Sequence, residues 1–152
     1  MSFNQNKELR SRFTLKSPCD FIMFYDGHLF MLEMKSTHSK SISFQREPDD
    51  GGMIKLHQIS SLSNGGLHEG VITGFIINFR YEEDGEPYSE DTYFWPIEAF
   101  NDYFVSNDRK SAKPIDIVQN GGIIVKQEQK RKLYDYNVKK LLEDIIKEKG
   151  CD

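Results

Sequence analysis

Cys19–Ser36 reads CDFIMFYDGHLFMLEMKS and constrains the fold more than any other stretch of the chain. Two apolar, aromatic runs (19–25 and 28–36) flank Asp26-Gly27. An Asp-Gly pair between such runs predicts a two-residue hairpin, because a type I′ turn needs positive φ at both central residues. With Asp26 and Gly27 as the loop, Tyr25 faces His28 and Asp20 lies across from Glu33. Directly opposite residues share a face, with Cβ atoms about 4.5–5.5 Å apart. Lys35, two residues beyond Glu33, projects to that same face. The remaining hairpin positions are mostly apolar on both faces, which predicts burial on both sides.

Two carboxylates and an ammonium are therefore expected together at one end of an apolar hairpin. Like charges directly opposite each other destabilise a sheet. An unpaired buried carboxylate is costly unless a neighbour or a metal compensates it. Lys35 can neutralise one acid, whereas a divalent cation between Asp20 and Glu33 neutralises both. Oxygen-only ligands favour a hard ion, Mg²⁺ or Mn²⁺, with waters and a substrate phosphate completing its shell. On these residues alone two readings stay open: a structural ion pair at a strand end, which is the commoner case, and a metal site.

The rest of the chain supplies the context. Residues 37–53 are polar, contain Pro48, Asp49, Asp50, Gly51 and Gly52, and read as an exposed loop. Residues 54–63 have helical spacing, with Asn64-Gly65-Gly66 as the stop. Residues 71–80 suit a central strand, 81–91 an acidic turn and 92–95 a further strand. Pro96 then opens a helix. Residues 122–134 read as strand. Residues 136–149 read as a helix with Val138, Leu141, Leu142, Ile145 and Ile146 on one stripe. This order predicts an α/β or α+β chain, a mixed β-sheet flanked by helices.

One domain is expected from 152 residues, enough to bury a core without disulfides or a structural metal. The four histidines include His28, His38 and His68, which have no metal-ligand spacing and read as surface or structural. No apolar run approaches the roughly 20 residues of a membrane span. The beginning of the chain has no apolar signal core, and Cys19 and Cys151 read as reduced. The expectation is a cytoplasmic protein without membrane contact. A net charge of −4 excludes a uniformly basic coat for nucleic acid. It leaves two local basic stretches, 7–16 and 126–132, as candidates for tracking phosphate. Trp95 and the aromatic stretch 92–104 read as core rather than as a base-stacking platform.

Taken in order, Ser17-Pro18, Asp20, Glu33-x-Lys35 and His57-Gln58 resemble the PD-(D/E)xK nuclease superfamily. Asp20 matches the motif aspartate after Pro18, and Glu33 and Lys35 match the E-x-K on the second hairpin strand. More narrowly, the run from Ser17 to Gln58 resembles the RecU Holliday junction resolvase family. That family has a Ser/Thr-x-x-Asp strand, a glycine turn, an E-x-K-x-T strand, an S-F segment and an H-Q helix. The corresponding residues here are Ser17 to Asp20, Gly27, Glu33-Lys35-Thr37, Ser43-Phe44 and His57-Gln58. Residues 71–80 fit the next strand, and Leu133-Tyr134-Asp135-Tyr136 fits the C-terminal segment. The likeness is strongest over residues 15–80. Several ordered matches carry far more weight than an isolated E-x-K.

The resemblance implies a restriction-endonuclease-like core and metal-dependent hydrolysis of phosphodiester bonds in DNA. Asp20 and Glu33 would hold Mg²⁺ (Mn²⁺ as substitute), helped by a main-chain carbonyl near Met34. Lys35 would orient the attacking water or stabilise charge on the phosphate, and Gln58 would position water or phosphate. Ser17, Ser36, Thr37 and His57 would contact the DNA backbone, although hydroxyls at strand ends serve equally well as caps. A homodimer and a four-way junction substrate are implied in the same way, with roles in DNA recombination and repair. Two features depart from the family. Its upstream acidic helix has no counterpart beyond Glu8, the one carboxylate preceding Asp20. Its basic stalk ahead of the aspartate strand is missing. The chain thus resembles a shortened relative, of the kind a phage or mobile element carries. Two alternatives accompany this reading: a non-catalytic DNA- or protein-binding module, and a repair or restriction-type nuclease with another DNA substrate.

Overall fold

Asp26 and Gly27 turn the chain with φ of 47° and 75°, the left-handed values that a type I′ turn demands. They join β1 (Phe21–Tyr25) antiparallel to β2 (His28–Thr37), with Tyr25 paired to His28 and Phe21 to Leu32. This is the register expected from the sequence. A computed structural model of the chain describes residues 17–81, 89–130 and 133–150. After β2 come β3 (Ile42–Ser43), α1 (Leu56–Gly66), β4 (Val71–Tyr81), β5 (Ser89–Pro96) and α2 (Ile97–Ser106). They are followed by β6 (Ser111–Ala112), α3 (Pro114–Gln119), β7 (Ile123–Ile124), β8 (Gln127–Lys130), β9 (Leu133–Tyr136) and α4 (Val138–Glu148).

The main sheet has five strands in the order β1-β2-β4-β5-β7. β2 and β4 are parallel and the other pairs antiparallel, so the sheet is mixed. Period-two alternation splits its apolar side chains between two layers. On one face Phe75, Ile77 and Trp95 pack with Ile59 and Leu62 of α1 and with Ile97 and Phe100 of α2. On the other, Phe30, Leu32, Ile76 and Phe94 pack with Leu141, Leu142, Ile145 and Ile146 of α4. The chain is an α/β protein, a mixed sheet with helices on both faces. Among the described residues no helix is long and apolar enough to cross a membrane.

Several expectations are corrected. The hairpin is not buried on both sides. Among the described residues β1 is the sheet's edge, and Phe21, Ile22 and Phe24 are exposed. Residues 37–53 are not simply an exposed loop. Ile42 and Phe44 are fully buried there, β3 pairs with β6, and Phe44 bridges Ile54. Gly52 has a φ of 152°, and a side chain on it would collide with the Phe44 backbone. The first helix starts two residues later than expected and runs through Asn64-Gly65-Gly66. The stretch 122–134 is broken into β7, β8 and the start of β9, the last two forming a separate ladder. β6 and α3 were not expected. Trp95 is fully buried and donates its indole N–H to Asn120 O (3.0 Å), in keeping with a core role. Of the basic stretches, 7–16 lies outside the described residues, as do Arg131 and Lys132. Glu8, Cys151 and most of the acidic turn (82–88) also lie outside them.

Candidate functional site

β2 alternates between the two layers, so Glu33 and Lys35 project to the face covered by α1 and α2. Their partners on β4, Phe75 and Ile77, belong to the core of that face. Glu33 is buried. Lys35 Nζ lies 3.1 Å from Glu33 Oε1, with the two side chains 14 % and 8 % exposed. An ion pair this enclosed is little screened by solvent. From α1, Gln58 Nε2 donates to the same Oε1. The Glu33 carboxylate thus takes both hydrogen bonds on one oxygen. Its Oε2 accepts none among the described residues.

The orientation of the Gln58 amide follows from helix capping. Gln58 is the third residue of α1, and its Oε1 accepts the N–H of Lys55 (2.9 Å), the residue that precedes the helix. Lys55 O in turn accepts from Gln58 N (3.0 Å). A glutamine at this helical position commonly folds back onto the capping N–H. The carbonyl end is thereby engaged, and the amino end faces Glu33. The neighbouring N–H, of Leu56, is bound by Gln45 Oε1 (3.1 Å).

Asp20 stands just outside β1, whose ladder begins at Phe21. It is exposed, and its Oδ2 accepts the Met34 N–H (2.8 Å), beside Glu33. Its Oδ1 accepts no hydrogen bond among the described residues. Cys19 is buried next to it, with Sγ 3.1 Å from Phe21 O. Burial pushes the Cys19 thiol pKa up, and the negative charges of Glu33 and Asp20 add to the rise, while hydrogen bonds with the Leu32 and Phe21 backbone oppose it. One buried sulfur therefore senses both carboxylates.

Glu33, Lys35 and Gln58 are thus in direct contact, and Asp20 is tied to the next amide of the strand. The other candidates are placed differently. Ser17 is exposed and donates to Cys19 O. Ser36 points to the opposite face and lies 3.5 Å from Asn78 Oδ1. Thr37 is buried, and its hydroxyl accepts from Ser39 N (3.0 Å), as a strand-end cap does. His57 is exposed on the first turn of α1. Ser43 and Phe44 are structural: Ser43 O accepts from Met53 N and Ile54 N, and the Phe44 ring packs edge-on against Phe100.

The donor chemistry fits a hard divalent ion. Among the described residues Asp20 and Glu33 each keep one carboxylate oxygen that accepts no hydrogen bond, and oxygen is the ligand Mg²⁺ and Mn²⁺ prefer. Among the described residues no three His, Cys, Asp or Glu side chains gather into one metal-ligating group. Water, backbone and substrate oxygens would complete any shell.

Sequence reasoning missed three features. The Lys55 amide bound by Gln58, with Gln45 on the neighbouring Leu56 amide, is one; only the third-position glutamine signals it. The second is a polar chain on the far face, where Asn78 Nδ2 donates to Thr92 Oγ1 (2.7 Å) and Thr92 Oγ1 donates to Gln127 Oε1 (3.0 Å). The third is a cavity of about 570 Å³ beside that chain, lined by Thr92, Val125, Lys126, Gln127, Tyr136 and neighbours. It lies across the sheet from Glu33.

This chain is similar to the SPbeta prophage-derived uncharacterized protein YotM of Bacillus subtilis (strain 168). The two are 32% identical over 143 residues, covering 87% of this chain and 68% of the relative. No protein-family model matches the chain.

Proposed function

Because the chain belongs to the family of that prophage-derived protein, we propose a function from its own site: metal-dependent hydrolysis of phosphodiester bonds in DNA, as in the RecU-like nucleases its motifs resemble. The observation that carries this reading is the meeting of Glu33, Lys35 and Gln58 at one carboxylate oxygen, with Asp20 fastened to the adjoining Met34 amide. A purely structural ion pair needs neither Gln58 nor a second acid at the strand end. The prophage origin of the relative is in keeping with a mobile-element enzyme.

In this reading Asp20 and Glu33 hold Mg²⁺ or Mn²⁺. An ion held by these two carboxylates would supply Lewis-acid polarisation of the scissile phosphate and a more acidic bound water. Lys35 keeps an ammonium beside the acids, where it orients that water or stabilises negative charge growing on the phosphoryl oxygens. Gln58 holds the Glu33 side chain in one orientation and keeps a second amino N–H for water or phosphate. His57 and Ser17, both exposed, would contact the backbone of the substrate in this reading. Ser36, on the other face, is not placed at this site.

The test is incubation of the purified protein with Mg²⁺ or Mn²⁺ and a panel of four-way, flapped and linear DNAs, alongside Asp20→Ala and Glu33→Ala. The expected result is metal-dependent cleavage that either substitution lowers by at least about a hundredfold while the circular dichroism spectrum is kept. Cleavage that both variants retain overturns the reading. The panel also separates a junction resolvase from a nuclease acting on linear or flapped DNA.

A further inference from the structure

We infer that Gln45 is a positioning residue for Gln58, and through Gln58 for Glu33; its catalytic consequence rests on the nuclease reading above. Gln45 follows fully buried Phe44, and its backbone N–H donates to Ile54 O (2.9 Å). Its side chain spans two segments. Nε2 donates to Asp50 O (2.7 Å), and Oε1 accepts the Leu56 N–H (3.1 Å). Leu56 is the first residue of α1, so this N–H is one of the donors that a helix start leaves without an internal partner.

Two side-chain amides therefore divide two successive backbone donors. Gln45 takes Leu56 N–H and Gln58 takes Lys55 N–H. Only with that division does Gln58 Oε1 serve a single donor, leaving its amino group directed at Glu33. If the Gln45 carbonyl is removed, the Leu56 N–H becomes an unsatisfied donor next to the one Gln58 already serves. It then competes for Gln58 Oε1 or recruits water, and the Gln58 amide turns away from Glu33. Partners behind a first-contact residue commonly change activity tenfold or more when lost, by loosening orientation rather than by touching substrate.

The decisive variants are Gln45→Met, which keeps the length but removes the amide, and Gln45→Glu, which keeps an acceptor for Leu56 N–H and loses only the donor to Asp50 O. The readouts are the NMR shifts of the Gln58 side-chain amide, measured on the full chain without metal, and kcat and KM for DNA cleavage with Mg²⁺. Gln45→Met is expected to move the Gln58 amide signals and to lower kcat about tenfold with KM within twofold of wild type. Gln45→Glu is expected to restore both. The inference is overturned if Gln45→Met leaves the Gln58 signals in place, or if Gln45→Glu disturbs them as much as Gln45→Met does. Should Gln45→Met fail to fold, Gln45→Glu decides alone, since displaced Gln58 signals in that variant contradict the assignment. If the wild-type protein cleaves no DNA, the nuclease reading fails, and the NMR comparison still judges Gln45.

Discussion

Lys35 Nζ lies 3.1 Å from Glu33 Oε1, two residues along one strand, and the pair is almost fully enclosed. A lysine beside a buried carboxylate balances its charge in the absence of any other cation. Removing one partner of a buried pair typically costs about 3–5 kcal/mol, because the remaining charge is left uncompensated. Lys35→Met is therefore expected to lower stability by about 3 kcal/mol. Added Mg²⁺ is expected to raise Tm more in Lys35→Met than in wild type, since binding to the native state alone stabilises it. Thermal melts with and without Mg²⁺ measure both. Equal Mg²⁺ effects in the two proteins would count against a cation at Glu33.

Arg46 donates to Phe104 O (2.7 Å), Asn107 O (2.5 Å) and Arg109 O (2.6 Å), and its guanidinium lies 4.3 Å from the Phe104 ring centroid. It fastens the segment beyond β3 to the end of α2. Three charge-assisted bonds to carbonyls place the loss in Arg46→Ala at about 2–3 kcal/mol. For a chain of this size that corresponds to a fall in Tm of roughly 4–12 °C. The effect should be on stability, with the Gln58 amide signals unmoved, which separates Arg46 from Gln45.

Asp50 supplies the pH-dependent element. Its hydrogen bond with Lys110 (2.7 Å), joined by those from the Glu47 and Arg46 N–H groups, holds its carboxyl below the usual carboxylate range. A depressed pKa in the folded state contributes stability that is present above the unfolded value of about 3.9. That contribution disappears as pH falls through the folded pKa. The stability difference between wild type and Asp50→Asn should therefore be constant from neutral pH to about pH 4 and shrink below it. Urea melts at stepped pH, with an NMR titration of Asp50, check this. A difference that shrinks already near pH 6 would contradict it.

Gly74 sits on the central strand β4, opposite Pro96 of β5. A Cβ there would lie 2.5 Å from Trp95 O and 2.8 Å from the Phe94 ring. Neither backbone nor a fully buried ring gives way cheaply. Gly74→Ala should cost about 1–3 kcal/mol, the usual range for overpacking. A melt with Tm unchanged would show that the β4–β5 contact is looser than described.

The hairpin was legible because turn chemistry and the period of two are local properties, and Asp26-Gly27 leaves one register. Its burial was not, because nothing in CDFIMFY says whether another strand pairs on its far side. The end of α1 was misplaced for a tertiary reason. Gly65 and Gly66 resemble a helix stop, yet Cβ atoms there would meet Met31 Sδ at 3.0 Å and Thr73 Oγ1 at 3.1 Å. The glycines let the helix approach the sheet closely rather than ending it. Glu33, Lys35 and Gln58 were legible as a set through their motif, and the structure brings them into contact. Ser36 reads as a phosphate donor because hydroxyls near strand ends often contact DNA backbone, yet adjacent strand residues point to opposite faces and its hydroxyl lies toward Asn78. Gln45 and Arg46 act through backbone groups far along the chain, and such partners leave no local pattern.

The central claim is that the carboxylates of Asp20 and Glu33 share one divalent ion. Paramagnetic Mn²⁺, added below stoichiometry to isotope-labelled protein, tests it directly. The expected result is selective broadening of the Met34 amide and the Gln58 side-chain amide, lost in Asp20→Asn. Sharp Met34 and Gln58 signals, with broadening centred instead on Asp91 and Glu128, which also line the cavity across the sheet, would contradict it.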